Sequence, residues 1–249
     1  MTRTFRYGSH DSQLGELHLP LAGTPSVVCL FHGGFWRIPY GREQMNAIAC
    51  DLMACGHAVW NVGYRRVGET GGGWPGTLED AITALDHLEV LSRQVAPLDL
   101  RRVAIAGHSA GGQLALHAAV ASSGRSVRPV AVASLAGVLD LQQAHEIDSG
   151  GGAVSALLGG TPESVPERYR DALPLARLPA GVRQLVLHGA RDEALPASMA
   201  RNYARLAQSA GDPVVHVELP DTGHMEYLDP HSAAHATLRE WLGTALRAS

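Results

Sequence analysis

The five residues Gly107-His108-Ser109-Ala110-Gly111 stand between an apolar run, "VAIA", and a helix-forming one, "QLALHAAVA". G-x-S-x-G is the spacing required by a sharp strand-to-helix turn that presents a serine for attack. Positions two residues either side of the serine have no room for side chains at such a turn. The bend pushes the serine Oγ out at the carboxyl edge of the sheet, and the helix amino terminus places partial positive charge beside it. Ser109 is therefore the candidate nucleophile. His108 is adjacent in sequence, but neighbours on a tight turn point apart, so it packs against or lines the site rather than serving as the base. Gly112 prolongs the run of small residues, which fits a helix packed closely on the sheet.

A serine nucleophile needs a base and a group to orient that base. In "ELPDTGHMEYL", His224 lies in a loop after the last apolar run and before the last helical pattern, free to turn Nε2 toward Ser109. The run "RQLVLHG" leads into "ARDEALP", which makes Asp192 the leading candidate to hold Nδ1–H. Asp140, after the preceding run in "AGVLDL", is its main rival, with Glu193 and Asp221 behind. Ser109, Asp192 and His224 also follow one another in the chain order of this hydrolase geometry.

An attacked carbonyl becomes an oxyanion and needs preorganised N–H donors. The backbone amide of Ala110 supplies one, and "LFHGGFW" at residues 30–36 is the place for others. Gly33 and Gly34 allow the backbone to turn its amides inward, while His32 pins the loop by hydrogen bonding. Phe35 and Trp36 either wall an acyl pocket or pack under the loop. Trp74, in "GETGGGWPG", either packs down or lines a pocket. His231 and His235 are four apart, yet "HSAAH" lacks the glutamate of a zinc-protease helix, so the pair reads as solvated and no metal is expected.

The elements that must position these groups alternate. Apolar runs "SVVCLFH", "AVWNVGY", "RVAIAGH", "PVAVASLAG", "RQLVLHG" and "PVVHVELP" read as strands buried on both faces, hence as a mostly parallel sheet. Helical patterns at 43–55, 77–94, 110–121, 197–210 and 231–247 separate them, predicting an α/β fold with helices on both faces. "ELHLP" fits an antiparallel edge strand. Residues 1–249 read as one domain, in which the Gly- and Pro-rich stretch 141–178 is expected to form a small cap over the site.

Composition closes off other classes. Apolar residues make up 45% of the 249 and charged residues 18%, enough to bury a substantial core. A net charge of −4 with mixed signs gives no nucleic-acid footprint. The first residues lack an apolar core of signal-peptide length, and no stretch approaches the roughly 20 apolar residues of a membrane span, so no membrane partner is expected. Three cysteines, Cys29, Cys50 and Cys55, make no disulfide framework, and a cytoplasmic protein is expected.

"HGGFW" together with "GHSAGG" resembles the α/β-hydrolase superfamily over essentially the whole chain, and within it the kynurenine formamidase and small serine esterase group, whose loop is HGGxW. "YGSH" near the start and "YRR" at residues 64–66 are similar to bacterial members of that group. The resemblance implies an α/β-hydrolase fold, Ser109, Asp192 and His224 as a triad, and Gly33, Gly34 and Ala110 as oxyanion donors. It also implies hydrolysis, without a cofactor, of small esters or of an aryl formamide such as N-formylkynurenine. Phe35, Trp36, His108 and Trp74 are the candidate substrate contacts, and the expected partner is a small-molecule acyl substrate. Oligomeric state stays open, a homodimer being allowed. An exopeptidase of prolyl-oligopeptidase type and a non-catalytic ligand receptor on a hydrolase scaffold are the alternatives.

Overall fold

Alternation of side chains along five-to-ten-residue apolar runs decides the architecture. In the strand Ser26–Phe31 (β3), Val27, Cys29 and Phe31 enter one hydrophobic layer, whereas Val28 and Leu30 enter the other. A run with both sets of side chains buried must lie inside a sheet covered on both faces. The computed structural model, which describes residues 1–21 and 23–247, shows that sheet. Before β3 come Thr2–Arg6 (β1) and Leu14–His18 (β2); after it come Ala58–Val62 (β4), Asp99–His108 (β5), Ala131–Leu135 (β6), Arg183–Gly189 (β7) and Val214–Leu219 (β8). Their spatial order is β1-β2-β4-β3-β5-β6-β7-β8. Pairing is antiparallel from β1 through β2 to β4 and parallel from β4 onward.

The sheet corrects two expectations. The run "PVVHVELP" forms β8, the second edge of the sheet, and is partly exposed rather than buried on both faces. β2 is antiparallel as predicted but is not an edge: β1 lies outside it and pairs with it throughout. β1 escaped notice because its five residues are largely exposed and show no apolar run.

Helix Asn46–Ala54 (α1) and the last helix, Ala233–Ala245 (α9), cover one face through Ile48, Leu52, Leu238 and Leu242. Gly76–Asp86 (α2), Leu88–Gln94 (α3), Ala110–Ala121 (α4) and Ala197–Ser209 (α8) cover the other. The pattern predicted as one helix at 77–94 is therefore two, meeting at His87, whose ring lies 6.1 Å from that of Trp60. The stretch 141–178 holds three short helices, Leu141–Glu146 (α5), Ala153–Leu158 (α6) and Pro166–Ala172 (α7). Among the described residues, no helix is long and apolar enough to cross a membrane.

Register brings the strand ends together. Phe31 pairs with Gly107, His108 with Leu135, Leu135 with Leu187, and Gly189 with Leu219. The loops leaving β3, β5, β7 and β8 consequently open on one rim, where an open parallel sheet builds its sites.

Candidate active site

The turn after β5 has the conformation the glycines permit. A Cβ on Gly107 would fall 2.0 Å from Gly111 O, and one on Gly111 would fall 2.1 Å from Phe31 O. Between them Ser109 adopts φ 53° and ψ −119°, a left-handed conformation costly to a residue with a Cβ. The strained turn stands at the start of α4 and aims Ser109 Oγ at His224, whose Nε2 is 2.9 Å away. His224 Nδ1 is 2.7 Å from Asp192 Oδ2.

Asp192 is fully buried as a side chain, yet it is well supplied with donors. Its Oδ1 accepts the N–H groups of Ala194 at 2.8 Å and Leu195 at 2.9 Å. Its Oδ2 lies 3.2 Å from Nε2 of the buried His188 as well as against His224. Burial works to raise this carboxyl, but the hydrogen bonds from His188 and His224, with the charge on His224 and the Leu195 amide, hold it well below the usual carboxylate range. An ionised carboxylate only accepts, so His224 Nδ1 carries a proton, and whenever the ring is neutral its Nε2 accepts from Ser109 Oγ–H.

The rival acids are engaged elsewhere. Asp140 caps α5, accepting from the amides of Gln142 and Gln143 at 3.0 Å each. Asp221 pairs with Arg191, and Glu193 is exposed.

The loop after β3 is pressed against the serine. A Cβ on Gly33 would stand 3.1 Å from Ser109 Cβ, so a side chain there would fill the space beside the hydroxyl. Gly34 (φ 101°), Phe35 (φ 57°) and Trp36 (φ 55°) follow in left-handed conformations, two of them without glycine's freedom. His32 holds the loop: its Nδ1–H donates to Gly33 O at 2.7 Å, and its ring stacks on Tyr64 at 4.2 Å. Since C=O and N–H of a trans peptide point opposite ways, a Gly33 carbonyl turned toward His32 turns the Gly34 N–H away from it. Among the described residues, the amides of Gly33, Gly34 and Ala110 donate to no protein acceptor.

Ser109 opens into a small pocket walled by Phe35, Trp36, Ala110, Val138 and His224 and closed by Ser149, Val154, Ala194 and Leu195. The space a water-sized sphere can enter is about 10 Å³, room for roughly one water molecule. Trp36 both lines and packs: it is 1% exposed, and its Nε1–H donates to Gln113 Oε1 at 3.2 Å. Two other candidates do not reach the pocket. Trp74 packs half-buried against the core, with its backbone N–H donating to Leu157 O at 2.7 Å. The His108 ring is buried, its Nε2–H donating to His224 O at 2.7 Å. Burial, with the charge of His224 beside it, pushes His108 down to about 4.

The second histidine on Asp192, and the walls from Val138, Ser149, Val154, Ala194 and Leu195, were not identified from sequence. His188 is the one for which a signal existed, because it precedes the final glycine of "RQLVLHG" at the rim where Asp192 emerges. His235, read as solvated, is 1% exposed and bonds Asp51 Oδ2 at 2.7 Å; His231 precedes the helix.

Sheet order, crossovers and the strand-to-helix serine turn are those of the α/β-hydrolase fold. The chain belongs to the BD-FAE family, whose model matches residues 17–205. It is 27% identical over 243 residues to Esterase LipC of Mycobacterium tuberculosis, a match covering 89% of this chain and 59% of that protein. A bifunctional GH43-CE protein of Bacteroides eggerthii superposes with a TM-score of 0.85 at 17% identity, over 98% of this chain and 38% of the other. The truncated form of a carbohydrate esterase from gut microbiota superposes with a TM-score of 0.86 at 19% identity, over 98% of this chain and 96% of the other. The chain thus spans little more than half of the curated relative and well under half of the first of these structures.

Proposed function

We propose that this protein is a serine hydrolase that cleaves small carboxylic esters through an acyl-enzyme on Ser109. The observation that carries the reading is the hydrogen-bonded line from Ser109 Oγ through His224 to Asp192, at 2.9 and 2.7 Å, opening on a closed pocket. Ser109 attacks the acyl carbon as His224 Nε2 takes its proton, and Asp192 stabilises the imidazolium. The amides of Ala110 and of the Gly33–Gly34 loop receive the oxyanion. His224 then protonates the departing alcohol, and water activated by the same imidazole releases the acid. The esterase names of the relatives support ester hydrolysis as the reaction class.

The pocket favours a formyl or acetyl group, since each further methylene needs space that its walls do not leave. At the rim, Tyr40 is 43% exposed with its ring 6.0 Å from Phe35, and Met225 beside His224 is 57% exposed, which favours an aryl leaving group. The same two features support an aryl formamide as the second reading. Initial rates on acetyl and butyryl aryl esters and on N-formylkynurenine separate these readings. Acetyl ester should lead, and turnover by Ser109→Ala at the wild-type rate would exclude the mechanism.

A further inference from the structure

Gln113 puts a polar side chain into the interior of α4, followed by the apolar Leu114, Ala115 and Leu116, and it is fully buried. A buried primary amide persists where both of its ends are satisfied, and here both are. Oε1 accepts Trp36 Nε1–H at 3.2 Å, and Nε2 donates to Ala172 O at 2.9 Å. The partners fix which end is which, because an indole N–H only donates and a carbonyl only accepts. Gln113 stands outside the pocket lining, so nothing in the hydrolytic scheme uses it directly.

Its two partners belong to different parts of the fold. Trp36 walls the pocket beside Ser109. Its φ of 55° is a left-handed conformation without glycine's freedom, which persists only when the surroundings hold it. Ala172 ends α7, in the stretch 141–178, and its carbonyl is one that a helix C-terminus leaves without an intrahelical partner. Among the described residues, Gln113 is the protein donor to that carbonyl. Gln113 itself stands four residues after Ser109, on the helix that the serine turn begins. One amide therefore joins the nucleophile's helix, the loop after β3 and the last α-helix of 141–178. No charged group could replace it: a carboxylate would face the Ala172 carbonyl, and an ammonium the Trp36 N–H. An apolar side chain would leave two buried groups without a bond, and the structure could satisfy them only by moving Trp36 or α7. With room for roughly one water molecule beside Ser109, any movement of Trp36 changes which acyl groups fit.

We propose that Gln113 is a positioning residue that sets the acyl-size limit, by tying the Trp36 wall of the pocket to α7. The effect on acyl choice rests on the hydrolase reading given above; the tether itself does not.

The test compares the wild type with Gln113→Leu, which removes both bonds, and with Gln113→Asn, whose shorter amide cannot span both partners. Trp36→Phe and the Gln113→Leu/Trp36→Phe double variant complete a cycle. Parallel assays of acetyl and butyryl aryl esters should show the butyryl-to-acetyl ratio of kcat/KM raised about tenfold in Gln113→Leu, the lower end of what one methylene commands. The double variant should fall short of the product of the two single effects, since both substitutions delete the same bond. Hydrogen exchange of the Trp36 indole N–H in Gln113→Leu, followed by ¹⁵N NMR, should quicken about fivefold, the loss of one hydrogen bond. Gln113→Asn gives the same readings should Gln113→Leu fail to fold. A residue that merely filled the core would lower the melting temperature and leave the ratio where it was. An unchanged ratio in a folded Gln113 variant, fully multiplicative effects in the cycle, or unchanged indole exchange would each overturn the proposal. If the wild type cleaves neither ester, the hydrolase reading fails and the acyl-size role with it, while indole exchange still decides the tether.

Discussion

Asp192 accepts from two amides and from His224, and it also lies 3.2 Å from the Nε2–H of His188, a proton shared with Leu195 O at 3.1 Å. The amides fix which oxygen faces His224. In Asp192→Asn the side-chain oxygen stays with the amides and its NH₂ confronts both imidazoles, forcing His224 into the tautomer that cannot accept from Ser109. A fall in kcat of about 10⁴-fold is expected, with KM little changed, in steady-state assays of an aryl acetate. His188→Leu should cost about 1–3 kcal/mol of stability, the loss of an N–H shared between Leu195 O and the Asp192 carboxylate, measured by urea unfolding. The meeting of Ser109, Asp192 and His224 was legible in sequence because each lies just past a strand end, where the rim must be, and in the chain order of this geometry. His188 was not, because it lies inside an apolar run and its partner is four residues on. Whether His108 and Trp74 pack or line the site stayed open in sequence for a related reason: which way a loop side chain turns is set by the elements packed on it.

Between residue and molecule, the stretch 141–178 shapes the pocket through two contacts with the rest of the fold. Arg37 donates to Gly150 O and Gly151 O at 2.9 Å each, and Phe35 packs so closely on Gly150 that a Cβ there would fall 2.2 Å from its ring. Arg37→Ala should therefore raise amide hydrogen exchange at residues 148–152 and increase KM for acetyl esters. Val154 on α6 closes the pocket from this stretch. Val154→Ala adds space for roughly two methyl groups and should raise the butyryl-to-acetyl ratio of kcat/KM about tenfold or more, read from parallel ester assays. The five central strands, β3 to β7, were legible from apolar runs because burial on both faces leaves no polar alternation; β8 shows the same kind of run although it is the partly exposed second edge. β1 and the break at His87 were hidden, because an exposed edge strand and a change of helix direction depend on neighbours distant in sequence. The fold of 141–178 was equally hidden: its short helices are held by contacts with Arg37, Trp74 and Gln113 rather than by strong local periodicity.

For the whole molecule, buried imidazoles set the response to acid. Burial pushes His32, His108 and His117 each down to about 4. The unfolded chain takes up protons on these rings near pH 6.5, and the folded chain resists until about pH 4, so stability is complete above that window and falls as pH drops through it. Each ring contributes a slope of at most about 1.4 kcal/mol per pH unit. The depressed Asp192 carboxyl continues the loss at lower pH, as the folded state is at last forced to protonate it. Urea midpoints from pH 7 to 4 should trace this decline, and His117→Gln, remote from the pocket, should flatten it. The left-handed backbone at Ser109 acts at this scale too. A glycine would occupy that conformation without complaint, so the chain keeps a serine there at the expense of its own melting temperature. Ser109→Gly should be inert yet melt about 2–4 °C higher, which would make the position of the proposed nucleophile also one of the easiest at which to make the protein more robust.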